Sequence, residues 1–143
     1  MAEYVYNEVQ TVEAGQNVLL NDSIPCTKGL VIHRNGSGIL TLRGPGSATC
    51  NRFARYQVVF NGNVAVPEGG TAGPISIALA INGEAVQTSR AIVTPTVAGA
   101  YFNVTSTAMV NIPNGCCENV AIENISGIEI NVQNANLVIS RVA

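Results

Sequence analysis

Ile75-Ser76-Ile77-Ala78-Leu79-Ala80-Ile81, followed at once by Asn82-Gly83, is the stretch that decides the fold. Its strict alternation puts the large aliphatic side chains on one side of an extended chain and Ser76, Ala78 and Ala80 on the other. A period of two means a strand with one core face. Asn-Gly is the pair that a two-residue type I′ turn requires, since both central positions need positive φ. Glu84 through Val93 should therefore fold back antiparallel beside it. The small second face would let another sheet or a neighbouring subunit come close.

Outward from that hairpin the same rhythm recurs, and no segment keeps the i, i+3, i+4, i+7 pattern of a helix for more than one turn. Upstream, Tyr56 to Phe60 reads as a strand running on toward Val66, with a bulge or turn expected at Asn61-Gly62-Asn63. Downstream, Tyr101 to Ile112 is a long strand with Phe102, Val104, Ala108, Val110 and Ile112 on one face. Pro113-Asn114-Gly115 turns the chain, Cys117 to Ile122 returns it, and Ile128 to Val132 and Ala135 to Val142 follow as two further strands. Shorter strands are expected around Tyr4 to Val9, Asn17 to Leu20, Leu30 to His33 and Ile39 to Leu42. About ten strands separated by turns fit an all-β, antiparallel two-sheet jelly-roll sandwich. The expectation is a single domain over residues 1–143, with 1–12 as a docking arm carrying Tyr4, Val5, Tyr6 and Val9.

Apolar residues make up 47% of the chain and charged residues only 11%, against about a quarter in an ordinary soluble domain. Something must cover that surface. No apolar run approaches the roughly 20 residues of a membrane helix, so a partner subunit is the expected cover and no membrane is. The net charge is −2, and the seven basic residues are scattered, which leaves no electrostatic footprint for nucleic acid. The start, Met-Ala-Glu-Tyr-Val-Tyr-Asn, has neither a basic segment nor an apolar core, so the expectation is synthesis in a cytoplasm without a secretory signal.

Residue by residue, the chemistry of catalysis is missing. His33 is the sole histidine, and Ser37 and Asp22 are the only easy companions for it in a triad; a strand-end histidine bonded to a loop is the simpler reading. Asn35-Gly36-Ser37-Gly38 and Arg43-Gly44-Pro45-Gly46-Ser47 resemble phosphate loops but lack the helix that such a loop needs behind it. The acidic residues are dispersed, without the rhythm of a calcium loop. Cys26, Cys50, Cys116 and Cys117 lack zinc spacing and read as reduced, packed thiols, with a Cys26 to Cys50 bridge as the alternative. No catalytic residue, cofactor or metal is expected, and the chain reads as a protein that is not an enzyme. Asn-x-Ser/Thr triplets at Asn21, Asn35, Asn103 and Asn124 read as composition.

Two stretches carry a family resemblance. Ile77-Ala78-Leu79-Ala80-Ile81-Asn82-Gly83-Glu84 resembles the strand and turn midway through the trimeric jelly rolls of the tumour necrosis factor and complement type. The run from Ile112-Pro113-Asn114-Gly115 through Val120 to Asn124, Ile130 to Val132 and Asn134 to Arg141 is similar to the C-terminal domains of bacterial collagen-like spore-surface proteins and of related phage virion proteins. The resemblance implies a homotrimer packed about a threefold axis and displayed on a particle or cell surface. Neither a collagen-like stalk nor a secretory signal accompanies it here. The implied role is therefore a bacteriophage structural protein, a capsid decoration or head-fibre subunit whose partner is the major capsid or another virion protein.

On this reading the interface between subunits falls on Ser76, Ala78, Ala80, Asn134, Asn136, Leu137 and Ile139. Asn131, Asn134 and Asn136 could form side-chain ladders about the axis or be ordinary loop and edge asparagines. The alternative function is a carbohydrate- or receptor-binding adhesion module of a phage or bacterial surface, taking a surface glycan. Its mark would be exposed aromatics, and the chain has no Trp, four Tyr and three Phe.

Overall fold

The long alternating runs all form strands in the computed structural model of the chain, which describes residues 1–25, 29–45, 52–115 and 117–142. Among these residues there are twelve strands and one short 3₁₀ turn, Gln87–Ser89. The strands are β1 (Ala2–Tyr6), β2 (Gln10–Val12), β3 (Asn21–Ile24), β4 (Val31–His33), β5 (Leu40–Arg43), β6 (Phe53–Ala65), β7 (Ile75–Ile81), β8 (Glu84–Ala85), β9 (Ala91–Val93), β10 (Phe102–Pro113), β11 (Cys117–Asn124) and β12 (Ile130–Arg141). They build two antiparallel six-stranded sheets. The first sheet runs β10-β6-β12-β1-β3, with β2 also on β12; the second runs β4-β5-β11-β7-β8, with β9 also on β7. From β5 onward the chain keeps passing between sheets, so strand neighbours are distant in sequence. This is an all-β jelly-roll sandwich.

The alternation places the core. On β6 the side chains of Ala54, Tyr56, Val58, Phe60 and Val64 are buried, and on β7 so are Ile75, Ile77 and Leu79; they meet between the sheets in one hydrophobic cluster. Each large side chain so buried contributes roughly 1.5–3 kcal/mol. Few polar groups enter this interior, and those that do are partnered. Asn124, fully buried, donates from Nδ2 to the carbonyls of Val12 (3.0 Å) and Ile128 (2.9 Å) and accepts from the Ser126 N–H (3.0 Å). The Tyr56 hydroxyl donates to the Arg43 carbonyl (2.6 Å). Gln10 imitates a strand neighbour: its Nε2 donates to the Leu19 carbonyl and its Oε1 accepts from the Leu19 N–H, both at 2.9 Å.

Several expectations change in detail, each for a local reason. Asn17 to Leu20 is not a strand but part of the crossover loop between β2 and β3 of the first sheet, which touches the second sheet through an isolated bridge from Asn17 to Glu123. Val18 N–H bonds the Ile122 carbonyl and Leu20 N–H the Ser37 carbonyl. Gly38 lets the loop approach this crossover, since a Cβ there would lie 2.9 Å from the Val18 carbonyl oxygen. No turn interrupts β6 at Gly62, because the glycine serves packing: a Cβ would sit 3.0 Å from the Phe60 ring. The return strand after Asn82-Gly83 divides into β8 and β9 around the 3₁₀ turn. There Ser89 Oγ accepts from the Leu79 N–H (2.9 Å) and the Ser89 carbonyl accepts from the Ser106 hydroxyl, tying β7 to β10. The two strands expected after Ile128 are one, β12, with an irregularity between Gln133 and Asn136 where Asn134 takes φ 56°.

Segment 1–12 is not an arm. β1 lies inside the first sheet between β12 and β3, and β2 pairs with β12. Tyr4 is a core residue, Val5 and Tyr6 are half-buried, and only Val9 is exposed. Of the cysteines, Cys117 is exposed at the start of β11, while Cys26, Cys50 and Cys116, and with them any Cys26 to Cys50 bridge, fall outside the described residues.

Candidate functional site

The outer face of the first sheet mixes aliphatic, amide and hydroxyl side chains. Cross-strand registers arrange it in rows: Asn103, Asn63 and Gln133; then Thr105, Asn61, Asn136, Val5 and Asn21; then Thr107, Val59, Val138, Glu3 and Ile24; then Met109, Gln57 and Ser140. The centre is aliphatic, with Val59 and Val138 directly opposed and half-buried and Met109 exposed beside them. Amides and hydroxyls flank it. Asn103 Nδ2 donates to Asn61 Oδ1 (2.9 Å) and Asn63 Oδ1 (3.2 Å), Thr105 donates to Asn61 Oδ1 (3.0 Å), and Asn63 Nδ2 donates to Asn134 Oδ1 (3.2 Å). The amides satisfy one another, so this end of the face is neutral and low in desolvation cost.

Charged residues stand in or beside those rows, and one of them, Glu3, is directly opposite Val138. Glu3 accepts from Asn136 Nδ2 (2.9 Å) and from the Ser23 hydroxyl (3.1 Å). At the far end Arg55 lies 5.1 Å over the Phe53 ring and donates to Asn111 Oδ1 (3.0 Å). The outermost strand, β10, is twelve residues long and pairs only with β6. From Ala91 to Cys117 the sequence holds no Asp, Glu, Lys, Arg or His. An exposed edge of that length without charge is what soluble proteins avoid or cover.

The residues expected at the interface divide by this geometry. Asn134 and Asn136 lie on the outer face. Leu137 and Ile139 do not: they are opposite Phe60 and Val58 and are buried in the core, and Val138 stands outside in their place. The irregularity at Asn134 is the cause. Before it Ile130 and Val132 point inward; after it Ala135, Leu137 and Ile139 do. Ser76, Ala78 and Ala80 are on the second sheet and are already buried within one chain, Ser76 beneath Arg90 and against Ser126. Val59, Thr107, Met109 and Val138, which sequence reasoning missed, occupy the outer face together with Val5, which it had placed on a docking arm.

Among known structures, the globular domain of zebrafish complement 1qA protein is similar to this chain with a TM-score of 0.59 and 16% identity over 96% of both chains. The chain shares the complement-type jelly-roll fold. The C-terminal domain of EclA, a sugar-binding protein, aligns more distantly, with a TM-score of 0.39 and 15% identity over 94% of this chain and 80% of that one. No protein-family model and no curated protein matches the sequence.

The triad nominees do come together, but not as a triad. His33, whose side chain is 1% exposed, has Nδ1 2.6 Å from Asp22 Oδ1 and Nε2 2.8 Å from the Ser37 backbone carbonyl, with its ring edge-on to Tyr4. The Ser37 hydroxyl oxygen accepts from the Ile39 N–H (3.0 Å) instead. Among the described residues no hydroxyl or thiol side chain is hydrogen-bonded to the imidazole. The histidine ties β3 of one sheet to β4 and its following loop. Among the described residues no group of three or more His, Cys, Asp or Glu is gathered closely enough to hold a metal ion, and no helix is long and apolar enough to cross a membrane.

Proposed function

We propose that this chain is a non-catalytic assembly protein: a homotrimer whose first sheets face the threefold axis, serving as a decoration or head-fibre subunit on a bacteriophage particle. The observation that carries the reading is the outer face of the first sheet, with Val59, Val138 and Met109 at its centre, neutral amides toward one end, Glu3 beside Val138 and the uncharged edge strand β10 alongside. An apolar centre with a polar rim is the anatomy of a subunit interface. Three copies would cover the surface that an 11% charged composition leaves to each. The virion assignment is supported by the likeness of the C-terminal run to phage virion proteins. It is tested by gold-labelled antibody on phage particles purified from the source: label on the particle surface is expected, and label confined to the particle-free fraction would contradict the assignment.

A further inference from the structure

We infer that the second sheet carries, on its outward face, a binding site for a single neutral sugar ring. The site is a groove of about 270 Å³ between the Asn82-Gly83 turn, the strand β11 and the loop before β5. Its floor is made by Ala80 and Ala121, directly opposite each other on adjacent strands. Larger side chains at this cross-strand pair would fill the space, which gives the small face of β7 a use other than subunit contact. Ile39, about half exposed, forms an apolar wall.

Three amides rim the groove, those of Asn17, Asn82 and Asn119. Their orientation is partly fixed by the backbone. Asn82 Oδ1 accepts from the Asn119 N–H (3.0 Å), so its NH₂ faces away from that bond, and Asn119 Oδ1 accepts from the Thr41 hydroxyl (2.8 Å), which leaves its NH₂ unspent as well. The Asn17 side chain has no hydrogen-bond partner among the described residues, its backbone being held in a bridge to Glu123. No lining residue is ionisable, which disfavours phosphates, carboxylates and amines alike. An uncharged ligand that presents several hydroxyls to amides and an aliphatic C–H face to alanine and isoleucine matches all of these features, and a pyranose is such a ligand. With no aromatic platform, affinity for one ring belongs in the millimolar range, where display on several copies would raise it. The groove lies on the sheet opposite the proposed assembly face and stays open in a trimer.

Titration of the ¹⁵N-labelled chain with glucose, galactose, mannose and N-acetylglucosamine tests the site. At least one sugar should shift the backbone signals of Ala80, Asn82, Gly83 and Ala121 and the side-chain NH₂ signals of Asn82 and Asn119, saturating at millimolar concentration. Ala121→Leu, whose added atoms point out of the sheet, and Asn119→Ala should each weaken the response about tenfold or more. Unchanged circular dichroism and melting temperature in both variants separate a filled groove from a damaged fold. Absence of shifts up to about 100 mM of every sugar, a concentration that would populate even weak complexes, or shifts that both variants leave intact, overturns the site. Light scattering on the same samples reads the assembly independently, so a trimer without shifts would remove the sugar site alone.

Discussion

Asn124 shows how a single residue can hold a sandwich of this kind together. One amide closes three backbone groups from β2, the turn after β11 and the approach to β12. Replacing it with Ala strands two carbonyls and one N–H in a dry interior, and the expected loss is about 3 kcal/mol of stability, read from the denaturation midpoint in urea. Gly38→Ala tests the crossover: the new Cβ meets backbone rather than a flexible side chain, so a loss of about 2 kcal/mol is expected from the same measurement. His33 was legible as a structural histidine at a strand end, and Asp22 and Ser37 were legible as its companions. That Ser37 meets the ring through its backbone carbonyl and not its hydroxyl was not, because only the folded loop sets which atom faces the imidazole.

At the scale of the strand, β12 carries the most information. The aliphatic phase switches from even positions at Ile130 and Val132 to odd ones at Leu137 and Ile139, and that switch in the sequence is the signal of an extra residue between them. Read without it, the strand presents Leu137 and Ile139 to a neighbour; read with it, Val138 goes outside. Asn134 supplies the left-handed residue, which Asn tolerates far better than a β-branched residue does. Asn134→Gly should therefore keep stability within about 0.5 kcal/mol, whereas Asn134→Val should cost about 2 kcal/mol in the same unfolding assay. The long strands β6, β7, β10 and β11 were legible because one face of each is core and the other is not. The breaks in the short ones were not, since Ser89 and Gln10 interrupt or imitate strand pairing through side-chain bonds that leave no period in the sequence. Alanines on β7 pointed to close packing, but they could not say whether a second chain, their own chain or a vacant groove would fill the space.

For the molecule as a whole, a sequence with so little charge implied shared surface, and the proposed place for it is the outer face of the first sheet. Val59→Lys, whose cross-strand neighbours Thr107 and Val138 are uncharged, puts a positive charge at the centre of that face in every copy without touching the core. Unlike a rim substitution, it should dissociate the assembly, since desolvated like charges at an interface cost several kcal/mol, while the circular dichroism of the separated chains stays that of a β-sandwich. The most direct test of the account is the mass of the unmodified protein by light scattering at micromolar concentration. The account predicts a species of three times the 14.9 kDa chain mass; a stable, soluble species of one chain mass would contradict it.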